Sequence, residues 1–288
     1  MEKECFVEAR DGLRLGYKIS RVEGARHSLV MLNGLASNST RWTEFVNGTA
    51  LKQCWNLMRH DRRGHGITMY RGRISRPIWR EDLDTIIEHE KLAPVVLLGH
   101  SLGTELALDY VTRYPEKVEA LILVDPVFPK NLTGLLGFIR HFRWLLWIPI
   151  VLLWILNSLG LRRRSFPPRD LYADDMRARE KLAANPEMDL ADLYMNPLGD
   201  LPYIPLANYL QDLHEVVRPL PPLAPITQPV LVILSASSSI SDKARNEARI
   251  AEFPNASVEW VVCDHWPLTE KPEEVRRIID EWCLTNFP

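Results

Sequence analysis

The stretch Gly99-His100-Ser101-Leu102-Gly103 places a serine at the centre of a G-x-S-x-G pattern, between the apolar run VVLLG (95–99) and TELALDY (104–110). In that setting a strand turns abruptly into a helix, the serine backbone is strained, and its hydroxyl is presented outward. Glycines flank it because side chains there would collide with neighbouring elements. The following helix points its N-terminus at the site and offers the Leu102 N–H to a developing negative charge. The chemistry is attack of Ser101 Oγ on an acyl carbon. It requires a base, an acid behind the base, and donors for the oxyanion. A five-residue pattern also arises by chance, but far less often with a strand before it and a helix after it.

The rest of the chain supplies the frame. CFVEAR and LRLGYKI flank Asp11-Gly12 and predict a hairpin. Apolar runs at 27–34, 95–99, 118–126, 228–235 and 257–262 predict strands buried on both faces, and 56–66 ends a further strand in a glycine-punctuated loop. Helical periodicity occupies 80–91, 104–115, 242–252 and 273–286. This alternation predicts one largely parallel α/β domain, residues 1–126 and 226–288. A helical, proline-rich insertion at 127–225 interrupts it. The insertion leaves from the carboxyl end of a strand, where open α/β sheets place their ligand crevice, so it is positioned as a lid.

The formal charge of −2 gives no sign of a nucleic-acid partner. With 25% charged and 46% apolar residues the chain reads as a folded soluble protein. Cys5, Cys54, Cys263 and Cys283 match no metal-binding spacing, so no metal is expected and a reducing compartment is the default. MEKECFVEARDG lacks the apolar stretch of a secretion signal, and the sequons at Asn38, Asn47, Asn131 and Asn255 then read as chance. The expected location is the cytoplasm, with a position peripheral to a membrane as the alternative.

With these motifs in place, the chain resembles the α/β-hydrolase-fold superfamily over nearly its whole length, close to serine esterases and monoacylglycerol-type lipases. MLNGLASNSTRW resembles the oxyanion loop, HDRRGHG the Asp-x-Arg-Gly-x-Gly loop, LVILSASSS the strand that usually ends in the acid, and VCDHWPLTEKPEEV the catalytic-histidine loop. The resemblance implies an eight-stranded, mostly parallel sheet flanked by helices, with a helical cap after the sixth strand. It implies His265 as general base, with the Leu35 and Leu102 amides as oxyanion donors. His60, His65 and His100 lie outside the base position and read as loop-packing residues. Asn33 stands where the family usually has histidine and could brace the loop, while Arg62 ties down its own loop. No cofactor is implied.

The acid departs from the pattern. Aligning VLVILSASS to the family's Gly-x-x-Asp puts Ser238 at the acid position, and serine cannot carry the charge that stabilises imidazolium. Three arrangements are open. Asp125, ending the run VEALILVDP, supplies the acid as in some family members, although aspartate also caps strands there. Asp242 reaches the site by another path, although it sits equally well as a helix N-cap. Or no acid is present. Asp264, beside the base, reads as surface.

Residues 144–161 in the insertion carry no charge, with Arg140 and Arg143 before them and Arg162, Arg163 and Arg164 after. Pro149 breaks the run, which is short for a membrane span. Two readings remain: a buried cap helix over an apolar pocket, or a cap that also touches lipid through Trp144, Trp147 and Trp154. Both predict a roomy apolar pocket, lined further by 193–213, and a small apolar ester substrate. The cap sequence shows no charge cluster pointing to a highly anionic one. The leading expectation is serine ester hydrolysis through an acyl-enzyme. The alternatives are a binding protein with impaired turnover and a cofactor-free haloperoxidase. Ser101 argues against the aspartate-nucleophile dehalogenases and epoxide hydrolases of this superfamily.

Overall fold

The computed structural model describes residues 2–185, 188, 190, 194, 197–236 and 242–288. Eight strands form one sheet: β1 (Lys3–Glu8), β2 (Arg14–Ser20), β3 (Ser28–Leu32), β4 (Asn56–His60), β5 (Val95–His100), β6 (Val118–Val124), β7 (Val230–Ser235) and β8 (Ala256–Val261). Their order is β1-β2-β4-β3-β5-β6-β7-β8. Strand β2 pairs antiparallel with both neighbours, and every other pairing is parallel.

The continuous apolar runs behave as doubly covered strands must. Along β3, Val30 and Leu32 enter one core while Leu29 and Met31 enter the other, and β5 repeats the split with Val95 and Leu97 against Val96 and Leu98. Helices Arg76–Glu90 and Leu102–Arg113 cover the first face through Trp79, Leu83, Leu106 and Tyr110. Helices Thr43–Gly48 and Pro272–Asn286 cover the second through Phe45, Val275 and Ile279. The first of these helices begins at Arg76, four residues before its periodicity becomes visible, because Pro77 is accommodated in a first turn where its missing N–H costs nothing.

The insertion leaves after β6 and returns at β7. It contains helices Gly134–His141, Trp147–Ser158, Leu171–Ala184 and Leu206–Val216. The last is fastened to the core by polar side chains. Asn208 donates to the carbonyls of Gly64 (3.1 Å) and Tyr70 (2.7 Å), and Gln211 accepts from Ile74 N–H (2.9 Å). The apolar segment does not form the buried cap helix that was one expectation. A single turn, Arg143–Leu146, leads into Trp147–Ser158, where Ile150 is the one fully buried residue. The preceding helix meets this pair at 87°, and no single helix among the described residues is long and apolar enough to cross a membrane.

Candidate active site

The elbow forms as its spacing requires. Ser101 has φ 50° and ψ −121° between β5 and the helix it starts. A Cβ on Gly103 would lie 2.3 Å from the Leu32 carbonyl, and one on Gly99 would lie 2.6 Å from the Gly103 backbone. Both positions therefore exclude side chains. Ala36 (φ 50°) and Asp125 (φ 44°) share this left-handed backbone, so three of the four non-glycine residues with positive φ among the described residues gather at one site. Such strain persists only where surrounding structure enforces it.

Three sequence-distant groups meet here. His265 Nε2 lies 3.1 Å from Ser101 Oγ, and His265 Nδ1 is hydrogen-bonded to Asp125 Oδ2. Since the carboxylate accepts, Nδ1 carries the proton and Nε2 is free to accept from serine. The acid therefore comes from the end of β6. Strand β7, where the family usually carries it, contributes differently: the Ser235 N–H donates to Asp125 Oδ1 (3.1 Å). The Asp125 N–H in turn donates to the Ile233 carbonyl (2.7 Å). The carboxylate is thus clamped from behind with its second oxygen left for histidine. Asp242, the alternative acid, instead accepts from Arg245 N–H (3.1 Å) and caps helix Lys243–Ile250. Its carboxylate is committed to a helix terminus. Ser238 lies outside the described residues.

The oxyanion loop is built from backbone groups held by buried cations. Arg62, fully buried, donates to the carbonyls of Asn33 (2.6 Å) and Gly34 (2.8 Å), as its loop-tying reading anticipates. Asn33 donates to the His60 carbonyl (2.7 Å) and does brace the loop. Asp212, from cap helix Leu206–Val216, completes the clamp: it lies 3.3 Å from Arg62 Nη2, 2.8 Å from His65 Nε2 and 3.4 Å from Ala36 N. The Leu35 and Leu102 amides have no hydrogen-bond partner among the described residues and remain available to an oxyanion. His100 is kept neutral. Burial, reinforced by the nearby His265, lowers its pKa to about 3, and its Nε2 lies 3.2 Å from the His265 carbonyl. It supports the base from behind and does not act as one. His60, likewise lowered to about 3 by burial and by Arg62, packs under the loop.

A cavity of about 110 Å³ opens on Ser101 and His265, walled by Leu35, Val127, Leu136, Leu171, Val216 and Trp266. Its wall is largely apolar, as expected, but its volume is smaller than expected, below the roughly 150 Å³ of an engineered cavity that binds benzene. Charged residues line it too, and sequence reasoning missed them. Arg41 pairs with Asp175, which also accepts from Tyr194 Oη (2.6 Å) and Thr269 Oγ1 (3.0 Å). Tyr194 stacks on Trp266 with ring centroids 5.4 Å apart. This network ties cap helix Leu171–Ala184 to the loop that carries His265. Arg169 pairs with Asp174 and Asp200 at the rim. No local pattern betrays Arg41 as a site residue, because its partner Asp175 lies 134 positions away in the chain. From the 193–213 stretch, Tyr194 and Asp200 reach the cavity, while Leu193, Met195 and Asn196 lie outside the described residues.

The order of strands, the elbow and the triad define a serine hydrolase of the α/β type, built for an acyl-enzyme mechanism. Residues 29–278 match the alpha/beta hydrolase family model, and the chain belongs to that family. A putative esterase/lipase of Haemophilus influenzae is 25% identical over 94% of this chain and 89% of its own length. The (lyso)-N-acylphosphatidylethanolamine lipase of Mus musculus is 34% identical over a shorter region, 38% of this chain and 32% of its own. Among solved structures, a thermophilic esterase from Thermogutta terrifontis superposes with a TM-score of 0.69 at 19% identity, covering 99% of this chain and 98% of the other.

Proposed function

We propose that the protein hydrolyses carboxylic esters with an apolar acyl part, working at a lipid surface. The Ser101–His265–Asp125 relay carries the reading. Ser101 attacks the ester carbonyl as His265 Nε2 takes its proton. The Leu35 and Leu102 amides receive the oxyanion, and the imidazolium, held by Asp125, protonates the departing alcohol. Water then enters, gives its proton to His265, and releases the acid from Ser101. The idea of a binding protein without turnover drew its support from the missing acid, and Asp125 removes that support.

The cavity supports a short acyl group when the cap sits as described, so longer chains require the cap to yield. A lipid surface supplies the means. Leu135, Phe138, Trp144, Ile148, Leu152, Ile155, Leu159 and Leu161 are all more than half exposed on the two bent cap helices and the segment after them. An apolar face this continuous marks an interaction site. Arg140, Arg143, Arg162, Arg163 and Arg164 border it and have no carboxylate partner among the described residues. Apolar side chains beside arginines and an interfacial tryptophan suit an anionic bilayer. Leu136, on the same helix, reaches the active-site cavity. Four unpaired cysteines fit a reducing compartment, which favours the cytoplasmic side of that bilayer.

The test is hydrolysis of p-nitrophenyl esters from C2 to C16, with Ser101→Ala beside the parent and a fluorophosphonate to label Ser101. Short soluble esters should turn over unaided, and long ones should gain from anionic phospholipid vesicles. A folded parent that neither labels nor hydrolyses any member sinks the enzyme reading. Equal rates with and without vesicles sink the surface reading alone.

A further inference from the structure

Beside the active-site cavity lies a second, larger one of about 540 Å³. Ala36, Ser37 and Arg169 line both, so the two cavities adjoin at the oxyanion loop and one cap residue. The character of the second cavity is different. Lys18, Arg71, Arg164 and Arg169 line it, opposed by Glu4 and the buried Asp61. Most of these charges are already committed. Lys18 faces Glu4 at 3.9 Å, Arg169 pairs with Asp174 and Asp200, and Asp61 accepts the amides of Ser39 and Ile67. Arg71 and Arg164 have no carboxylate partner among the described residues. Arg71 is nonetheless fixed in place: Nη2 donates to the Arg164 carbonyl (2.7 Å) and its guanidinium lies 5.4 Å from the Phe166 ring centroid. A held guanidinium with spare donors is a ready anion receptor. Where the two cavities adjoin, the Ser37 hydroxyl is buried and without a hydrogen-bond partner, a polar group left over for a ligand at that junction.

We propose that this cavity binds a phosphate carried on the alcohol part of the substrate. This rests on the ester-hydrolase reading above. The acyl carbon sits at Ser101 with its chain in the small apolar cavity. The alcohol extends past Ser37, and its phosphate meets Arg71, with Arg164 as second cation. The sequence alone conceals the receptor, since its cations come from two distant segments, the loop after β4 and the cap.

The experiment compares two water-soluble esters, 1-butyrylglycerol and 1-butyrylglycerol 3-phosphate, both too short to form aggregates, so that attraction to a membrane plays no part. The parent should favour the phosphorylated ester in kcat/KM by about tenfold or more, the scale of a charge-assisted pair. In Arg71→Gln the ratio of the two values should collapse towards one, mainly through KM of the phosphorylated ester, while Arg71→Lys should retain part of it. Ser37→Ala should lower the same ratio less. If the parent cleaves the neutral ester but does not prefer the phosphorylated one, or if Arg71→Gln keeps the preference, the phosphate site is wrong and the hydrolase stands. If the parent cleaves neither and does not label with fluorophosphonate, the hydrolase reading has failed first. Turnover of the neutral ester reports that each variant is folded.

Discussion

Replacing Asp125 by asparagine separates the possible origins of the acid, and the structure says how the damage arises. Asp125 Oδ1 accepts the Ser235 N–H at 3.1 Å, while Oδ2 faces His265 Nδ1. In Asp125→Asn the amide oxygen stays with the Ser235 donor, because an NH₂ there would set two donors against each other. The NH₂ then faces Nδ1 and turns it into an acceptor. The imidazole proton moves to Nε2, which sits 3.1 Å from Ser101 Oγ and can no longer take its proton. General-base catalysis is lost, leaving the oxyanion donors and binding. Loss of this kind in serine proteases lowers kcat by about 10⁴, or about 5.4 kcal/mol at 1.36 kcal/mol per decade. We expect a fall of about 10³ to 10⁴ in kcat for p-nitrophenyl butyrate with KM little changed. Asp125→Ala should do no more harm than Asp125→Asn, since it leaves the tautomer free to equilibrate. Asp242→Asn should retain nearly full activity, because that side chain caps a helix and asparagine caps as well. An Asp125→Asn enzyme within tenfold of the parent would refute the reasoning, above all if Asp242→Asn were the crippled one.

Two further outcomes concern the buried charges behind the site. Glu105, fully buried and 3.3 Å from Arg76, has its pKa raised well above the ordinary carboxylate range by burial. A raised pKa means the folded chain holds a proton that the unfolded chain releases, so stability declines as pH climbs above about 4.5. Glu105→Gln lacks that proton, and its urea midpoint should rise relative to the parent between pH 4 and 8; a constant difference would contradict the assignment. Arg62→Met strips two loop carbonyls and Asp212 of their donor, all buried. It should cost about 3–5 kcal/mol in chemical denaturation and lower kcat as the oxyanion loop loosens.

The frame was largely readable in the chain because continuous apolar strands and the G-x-S-x-G turn are local signals. Ser101 and His265 carried their context with them: a strand before, a helix after. Asp125 was visible only as one of several candidates, because what makes it the acid is the Ser235 amide, 110 positions away in the chain. Asp212 and Arg41 were not visible as site residues at all. Each acts through a partner on a distant segment, and pairing of that kind leaves no periodicity to read. The apolar cap segment misled in another way. Hydropathy reports that 144–161 avoids water but not what covers it, and this chain's own residues leave most of its outer face exposed.

The same cap joins its exposed apolar surface to the oxyanion loop by packed contacts. Trp147 opens the exposed helix and donates from Nε1 to His214 Nε2 at 3.3 Å. His214 lies on helix Leu206–Val216, two residues beyond Asp212, whose carboxylate braces Arg62, His65 and the Ala36 amide. The two ends of this path should fail differently. Ile148, Leu152 and Ile155 form a helical stripe on the exposed face, each more than half exposed. Each apolar side chain that fails to bury forfeits about 1.5–3 kcal/mol. Ile148→Glu with Ile155→Glu should therefore weaken binding to anionic vesicles by tenfold or more, and lower the rate on vesicle-borne long-chain ester relative to that on soluble butyrate ester. Asp212→Asn acts on the loop itself and should lower both rates by the same factor, with vesicle binding unchanged in sedimentation. If Asp212→Asn spared the soluble ester, the loop would not depend on the cap, and the clamp would be a packing feature without a part in catalysis.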